Sequence, residues 1–285
     1  MPLDVALASC VTLPEPDADM APLLEALRGA GLSAEALGWD DPVAEPDFAG
    51  ARLVLLRSTW NYALRPREFL AWVDRTASAT RFFNPAETIR WNTHKSYLLD
   101  LHARGVPVVP TTLLRRGDAT PLRDVVRAHG AARVVVKPAV SGGSRETMRV
   151  DAGTMDAGEA HLRQLVARED VLVQPYLDSV EGHGERALVW IDGELTHAVR
   201  KSPRFIGDEE SVTAAVIEDD EAAVARAALA VAPTPLLYAR IDVARDEHGA
   251  PRVMELELVE PSLFFASGPA ALARLVAGLR RQLGL

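Results

Sequence analysis

Three carboxylates near the end of the chain are spaced so that they can share one face of a β-hairpin. Glu255 and Glu257 lie two residues apart in the strand pattern Pro251–Leu258, so both side chains point to the same side. Asp242 lies in the preceding strand pattern, which the turn Asp246–Gly249 joins to this one. Carboxylates that converge among apolar residues repel one another and lose hydration, so each needs a cation nearby. Mg²⁺ bound jointly by carboxylate and phosphate oxygens would meet this need.

The same residues could instead form a solvated sheet face on which Arg240 and Arg252 pair with the carboxylates. The leucines that alternate with the glutamates argue against this alternative, because they are an unusual choice for an exposed edge strand. We therefore expect a metal site here.

A second group of residues is suited to binding polyphosphate. The β-branched run Val134–Val136 predicts a buried strand, and Lys137 places a point charge where the chain leaves the sheet. Two glycines follow, which let the backbone approach a ligand and offer amide donors to phosphate oxygens. The lysine precedes the glycines, so this is not the P-loop motif. The loop residues are Ser141, Gly142, Gly143 and Ser144.

The alternation after this loop, over Arg145–Val150, predicts a second strand. The loop would then be a flap between two antiparallel strands. A plain turn with Lys137 exposed on the surface is the alternative.

The composition limits the class of protein. Of 285 residues, 48% are apolar, which is enough for packed cores in one large or two to three small domains. The formal net charge is −9 without a basic stripe, so neither nucleic acid nor a membrane is expected as a partner. Cys10 is the single cysteine, which excludes an internal disulfide. No signal peptide or apolar span is visible, so we expect a cytoplasmic protein.

The first 90 residues have the pattern of a small α/β domain. Strand patterns at Val5–Ser9 and Ala51–Leu56 flank a helix pattern at Met20–Ala30. This alternation predicts a parallel sheet that binds ligands at the carboxyl ends of its strands.

That edge of the sheet carries an arginine and two amphipathic aromatics. Arg57, Trp60 and Tyr62 could bind an anionic or amino-acid-like molecule by ion pairing and stacking. They could equally cap a loop and pack on the next helix, Pro66–Thr76.

The middle of the chain contributes a second lysine. A helix capped by Asn92 or Thr93 and ended by Gly105 would place Lys95 in its first turn. A lysine there opposes the helix dipole unless an anion neutralises it, so Lys95 either binds phosphate or is exposed to solvent.

Further along, Asp170–Leu177 predicts a strand that stops at a proline and joins two lobes. Its free edge could bind a purine between Tyr176 and Leu177. Beyond it, the strand patterns 185–191 and 194–201 are joined by an Asp-Gly pair, which is typical of a hairpin. The inward ends of this hairpin would present three cations to the cleft. These cations are Arg186, Arg200 and Lys201.

In their order along the chain, these features resemble the ATP-grasp superfamily of ligases. The ordered set is Lys95, Lys137 with its glycine loop, Gln174-Pro-Tyr, Asp242 and Glu255-x-Glu257. The tail is similar to the Glu-x-Asn stretch of bacterial glutathione synthetase, with Glu257 in place of the asparagine, which keeps an oxygen ligand but adds a charge. The resemblance implies an α/β fold in three parts. They are an N-terminal parallel-sheet domain (1–90), a lid subdomain (91–175) and a C-terminal catalytic lobe (176–285).

The resemblance also implies roles for individual residues. ATP would be held by Lys95, Lys137, Ser141, Gly142, Gly143, Ser144, the backbone of Gln174, Pro175, Tyr176 and Leu177, and Asp178 or Glu181 at the ribose. Asp242, Glu255 and Glu257 would bind two Mg²⁺ ions, for which Mn²⁺ could substitute. Cations near the transferred phosphate would be Arg186, Lys201 and Arg240. Substrate contacts would be Arg57, Trp60, Tyr62, Arg145 and Glu260, with Glu260 alternatively a metal ligand.

The implied reaction joins a carboxylate and an amine. The carboxylate attacks the γ-phosphate to give an acylphosphate and ADP, and the amine then displaces phosphate. Motifs such as Arg57–Tyr62 look most like the small single-chain group that includes the cyclo-ligase of cycloserine biosynthesis. Cyclisation, ligation to a second molecule and the oligomeric state all stay open at this point.

Two other classes of function would use the same nucleotide site. A small-molecule kinase would transfer phosphate to a hydroxyl group and release a stable ester. A non-catalytic nucleotide-binding module would not need the three carboxylates.

Overall fold

The computed structural model describes residues 2–202 and 211–285. Within these ranges the chain forms three β-sheets covered by helices. The strands are β1 (Val5–Ser9), β2 (Ala34–Gly38), β3 (Leu53–Leu56), β4 (Arg81–Phe83), β5 (Thr112–Leu114), β6 (Val134–Pro138), β7 (Met148–Val150), β8 (Val171–Pro175), β9 (Glu185–Ile191), β10 (Glu194–Lys201), β11 (Val212–Ala215), β12 (Tyr238–Arg245) and β13 (Pro251–Glu257).

The helices account for most of the remaining regular structure. They are α1 (Met20–Gly29), α2 (Glu45–Gly50), α3 (Pro66–Ala77), α4 (Ala86–Thr93), α5 (Tyr97–Ala103), α6 (Leu122–His129), α7 (Met155–Val166), α8 (Ser179–Gly182), α9 (Asp219–Val231) and α10 (Pro269–Gln282). None of the helices in the described ranges is long and apolar enough to cross a membrane.

The first sheet is parallel and has the strand order β2-β1-β3-β4. β1 and β3 are buried along their whole length, as their continuous apolar runs predict for central strands. Two strands of this sheet were not predicted: β2, of whose five residues only one is buried, and β4, which has only three residues. The parallel sheet itself is confirmed.

The second sheet is antiparallel and has the order β5-β8-β6-β7. The glycine loop joins β6 to β7, which confirms the predicted flap. Val134 and Val136 pack in one core with α6 and α7. Because side chains alternate along a strand, Lys137 faces away from these helices.

The third sheet is antiparallel and has the order β11-β10-β9-β12-β13. The predicted hairpin of β9 and β10 is confirmed, and its turn residues Asp192 and Gly193 have φ values of 47° and 95°. Between β12 and β13 the register shifts, since Asp242 pairs with Glu255 but Val243 pairs with Val253. The one extra residue on β13 is a β-bulge, which bends that strand just before its glutamates.

The predicted helix from Asn92 or Thr93 to Gly105 is wrong at its start. Both residues end α4, and the backbone of His94 is extended. Neither side chain can serve as a cap, because the Thr93 hydroxyl donates to the Ile89 carbonyl and Asn92 is bonded to β13. Lys95 therefore lies in the connector between α4 and α5. The proposed domain limits at residues 90 and 175 stay predictions.

Candidate nucleotide and metal site

Glu255 lies between the two predicted phosphate lysines. Its carboxylate accepts from the Lys137 Nζ at 2.6 Å and from the Lys95 Nζ at 3.0 Å. The lysines come from the end of β6 and from the α4–α5 connector, and both are buried. Burial alone would raise the pKa of Glu255, but the two lysine charges outweigh it and hold the pKa well below its ordinary value.

Asp242 is bound by two further cations. Lys201 Nζ donates to it at 2.8 Å, and Arg240 donates through Nε and Nη2 at 2.8 and 2.9 Å. Despite burial, these charges lower the pKa of Asp242 to about 2. Lys201 also pairs with Glu185, and the pKa of Lys201 is raised because Asp242 and Glu185 outweigh the effect of its burial. Asp242 is thus held ionised inside the protein.

Glu257 completes the trio of carboxylates. It accepts from Arg240 Nη2 at 2.5 Å, and burial, only partly offset by Arg240, raises its pKa. The structure therefore brings together Asp242, Glu255 and Glu257, as their spacing predicts. Arg252 pairs with Asp246 instead, and the cations facing the carboxylates have side chains that are only 8–10% exposed. A solvated sheet face does not describe this arrangement.

Glu185 belongs to the same cluster, although the sequence analysis did not select it. Burial and the charge of Asp242 raise its pKa to about 7, against the opposing effect of Lys201. The hairpin register pairs Glu185 with Lys201 across β9 and β10. The Asp-Gly turn fixes that register, so it was the sequence signal that could have identified Glu185.

The prediction that Arg186 and Arg200 point into the same cleft as Lys201 is wrong. Neighbouring residues of a strand point to opposite faces, so both arginines lie on the other side of the sheet. Arg186 Nη2 donates to the Val216 carbonyl at 3.2 Å, and its guanidinium lies 3.7 Å from both Glu218 and Glu221. Arg200 donates to the carbonyls of residues 182 and 183.

His183, Glu218 and Glu221 on that side are close enough together to hold a metal ion. However, Arg186 and Arg245 each lie 3.7 Å from the Glu221 carboxylate and supply the positive charge. We therefore assign this group to ion pairing.

The glycine loop comes close to Glu260 at the edge of the site. A Cβ atom on Gly142 would be 3.9 Å from the Glu260 carboxylate. Gly143 and Ser144 have positive φ values of 57° and 60°, which glycine adopts readily and serine does not. Ser141 is buried and donates to the Pro138 carbonyl at 3.1 Å, so its hydroxyl is engaged in the loop itself.

Arg145, predicted as a substrate contact, braces this loop. Its Nη2 donates to the Val140 carbonyl at 3.1 Å and to Glu169 at 2.7 Å, and it also pairs with Glu146. The structure does not place its guanidinium among the site carboxylates.

The predicted nucleoside segment 174–177 leaves the second sheet beside Arg133 and Arg149. The Tyr176 ring lies 5.1 and 5.4 Å from these two guanidinium groups, and its hydroxyl donates to Glu181 at 2.8 Å. The Tyr176 amide is already bonded to the Arg133 carbonyl, so it is not a free donor for a purine.

Other members of the segment also have protein partners. Gln174 is buried and donates to Thr111 at 2.9 Å, Pro175 ends β8, and Leu177 packs in a small apolar cluster with Val109 and Val180. Asp178 pairs with Arg133.

Of the three predicted substrate residues after β3, Arg57 and Trp60 direct their polar groups to the backbone at residues 260 and 261. Tyr62 lies nearer to the site carboxylates, since burial and then the charges of Glu260 and Glu257 raise the pKa of its hydroxyl. Arg57 is 1% exposed, and its Nη2 donates to the Pro261 carbonyl at 3.0 Å and lies 3.7 Å from the Asp19 carboxylate. Its Nε and Nη1 have no hydrogen-bond partner among the described residues. Trp60 Nε1 donates to the Glu260 carbonyl at 3.2 Å. The Tyr62 ring packs on Phe69 in the core, with centroids 5.0 Å apart.

Arg57 and Trp60 therefore hold the loop that carries Glu260. Burial, and then the neighbouring Glu257, raise the pKa of Glu260 to about 8. Asp19 fixes the next part of this loop, because its carboxylate accepts from the backbone amides of Leu263, Phe264 and Phe265 at 2.6–3.0 Å. Asp19 precedes α1, so the loop is fastened to the first sheet domain.

Comparison with known proteins places the chain in a family. Residues 5–84 match the family described as D-cycloserine synthetase DcsG, N-terminal domain. The cycloserine biosynthesis protein DcsG of Streptomyces lavendulae is 36% identical over 97% of both chains. The crystal structure of D-cycloserine synthetase DcsG superposes with a TM-score of 0.90 and 34% identity, covering 98% of this chain and 99% of that one.

More distant structures share the fold. D-alanine–D-alanine ligase from Bacillus anthracis, solved in complex with ATP, has a TM-score of 0.70 at 14% identity, over 98% of this chain and 96% of that one. The match extends over almost the entire length of both proteins, so the two molecules share the overall fold.

Proposed function

The chain belongs to the DcsG family of ATP-grasp ligases, and we propose that it closes a small amino-acid derivative into a ring by forming a C–N bond while ATP is cleaved to ADP and phosphate. An ATP-dependent, ADP-forming ligase activity follows from the family. The cyclising reaction is inferred from the DcsG relative, a D-cycloserine synthetase. We expect the carboxylate and the attacking nitrogen to lie in one molecule.

The observation that supports this proposal best is the shared carboxylate of Glu255. Lys95 and Lys137, from two separate segments, both donate to it at 3.0 Å or less. A triphosphate offers these lysines more negative oxygens than one carboxylate does. When the lysines move to phosphate oxygens, Glu255 becomes available for a metal ion.

The donor set fits magnesium. Asp242, Glu255 and Glu257 offer only hard oxygen ligands, which suit Mg²⁺, and they now face the cations Lys95, Lys137, Lys201 and Arg240. When bound, Mg²⁺ would neutralise and align the phosphates. A triphosphate with two Mg²⁺ ions adds no net charge to the cluster, which favours two ions over one.

The chain's own residues would then act by placing charge. Lys95 and Lys137 would hold the phosphates, and Lys201 and Arg240 would offset the charge of the γ-phosphate during transfer. The substrate carboxylate oxygen attacks phosphorus, the bond to ADP breaks, and the acylphosphate is then attacked by nitrogen with release of phosphate. No side-chain nucleophile is required.

The test is an ADP-release screen with Mg²⁺ against amino acids and their O- and N-substituted derivatives, followed by mass spectrometry of each hit. We expect one phosphate per ADP and a product lighter than its substrate by one water. A phosphate ester without free phosphate would instead identify a kinase. A product that combines two substrates would replace cyclisation by intermolecular ligation.

A further inference from the structure

Strand β13 carries the metal-binding glutamates at the edge of its sheet. One side pairs with β12, and after the bulge the other side has no strand partner among residues 2–202 and 211–285. Before the bulge, Val253 is hydrogen-bonded to the backbone of Pro107 and Val109. After it, the outward amide and carbonyl groups belong to Leu256 and Leu258.

All four of these outward groups are bonded to side chains. The Leu256 amide donates to the Tyr97 hydroxyl at 3.0 Å, and its carbonyl accepts from Asn92 Nδ2 at 2.7 Å. The Leu258 amide donates to Asn92 Oδ1 at 2.7 Å, and its carbonyl accepts from Asn84 Nδ2 at 2.8 Å. Buried side chains thus replace a missing strand, since unpaired backbone groups at this depth would be costly.

Asn92 has a special place in this arrangement. It is 6% exposed, and its single amide group bonds the residues immediately before and after Glu257. A slip or twist of the strand at Glu257 would break both bonds. The amide therefore fixes the backbone from which the Glu257 carboxylate projects.

The residues that hold the strand also flank Lys95. Asn92 and Tyr97 lie three residues before and two residues after this lysine, which binds Glu255. One short stretch of chain therefore sets both the position of a phosphate-binding cation and the backbone of two metal-binding carboxylates.

We propose that Asn92 and Tyr97 are positioning residues that set the Glu257 and Glu255 carboxylates in place for the metal–nucleotide complex. This inference rests on the proposed function, because it assumes that these carboxylates bind the metal. Residues that orient metal ligands typically contribute about 10- to 100-fold to metal affinity, so the effect should be measurable.

Asn84 provides a matched control. It is fully buried and bonds Tyr238, Leu258 and Leu237 through its amide, so its loss should also cost stability. However, it contacts β13 only beyond Glu257. Replacing either Asn84 or Asn92 by alanine should therefore loosen the core. Only the replacement of Asn92 should also weaken metal binding.

The experiment compares Asn92→Ala, Tyr97→Phe and Asn84→Ala by titrating Mn²⁺ at fixed ADP, with free Mn²⁺ measured by electron paramagnetic resonance. We expect half-saturating Mn²⁺ to rise about tenfold for Asn92→Ala and about threefold for Tyr97→Phe, and to change less than twofold for Asn84→Ala. Tyr97→Phe removes one hydroxyl and keeps the ring, so it tests the inference if Asn92→Ala does not fold.

Two further measurements separate the outcomes. In the ligand-free protein, amide exchange in the segment 255–260 should accelerate in Asn92→Ala. Combined with Glu257→Gln, Asn92→Ala should add little further loss of Mn²⁺ affinity, since both act through one carboxylate. Additive losses of Mn²⁺ affinity in the double variant, or equal shifts of half-saturating Mn²⁺ for Asn92→Ala and Asn84→Ala, would overturn the positioning role. They would leave the proposed function standing. A wild-type chain that binds no Mn²⁺ with ADP would overturn the proposed function together with this inference.

Discussion

The two faces of the third sheet carry similar charged residues in different settings. On one face Glu255 of β13 is held by two lysines that are distant in sequence, since it lies 160 residues after Lys95 and 118 after Lys137. The carboxylates of β9 and β12 beside it are held by Lys201 and Arg240 of the same lobe. On the other face, Arg186 and Arg245 pair with Glu218 and Glu221 at the start of α9, within the same lobe. Ion pairs between neighbouring elements stabilise the lobe, whereas a cluster assembled from three parts of the chain can respond to a ligand that binds between them.

The largest difference between the faces should appear on removal of a cation. Lys137→Ala should lower ADP release by at least about 100-fold, because it removes a preorganised charge from the phosphate site. Arg186→Ala, on the other face, should lower it less than about threefold. Steady-state ADP release by both variants at saturating Mg²⁺ gives the comparison. Similar losses would mean that both faces serve the reaction.

A smaller difference is expected for the carboxylates. Glu257→Gln keeps the shape of the side chain but removes a charged metal ligand, so half-activating Mg²⁺ should rise about tenfold while the nucleotide KM at saturating Mg²⁺ changes little. Glu218→Gln is the matched change on the other face. An unchanged Mg²⁺ requirement in Glu257→Gln would remove Glu257 from the metal site.

The smallest effect concerns the pH dependence of stability. The pKa of Glu185 is raised from 4.5 to about 7, so the folded protein binds this proton more tightly than the unfolded chain does. Stability from this group is therefore present at low pH and is lost as pH rises from about 4.5 to 7. Thermal unfolding of Glu185→Gln without ligands should show a smaller decline over that interval than the wild type. A decline as steep as that of the wild type would contradict the raised pKa.

Local sequence patterns predicted much of the fold. The β-branched run before Lys137, the Asp-Gly turn at residue 193 and the alternation in β13 each involve residues close in sequence, and all three are confirmed as structure. The short strands β2 and β4 lack such a pattern and were missed. The break between α4 and α5 was also missed, because the polar residues there bind β13 rather than cap a helix.

The site could be predicted only in part from the sequence. Spacing along one strand places Glu255 and Glu257 together, and the structure adds that Lys95 and Lys137 meet at one carboxylate. The opposite orientations of Arg186 and Lys201 follow from strand alternation, but their surroundings depend on where α9 and β12 pack. Similarly, Arg57 has the residue type of an anion ligand, but the loop after β13 covers it.

The bonds from Asp19 to the amides of residues 263–265 have a consequence for engineering new specificities. In a chimaera that takes residues 1–90 from a relative, the donor segment would have to recognise the recipient's loop through the buried Asp19 carboxylate and through Arg57 and Trp60. Exchanging residues 260–268 along with the donor segment would keep those contacts native. Recombination between relatives should therefore succeed more often when these two distant stretches are inherited as a pair.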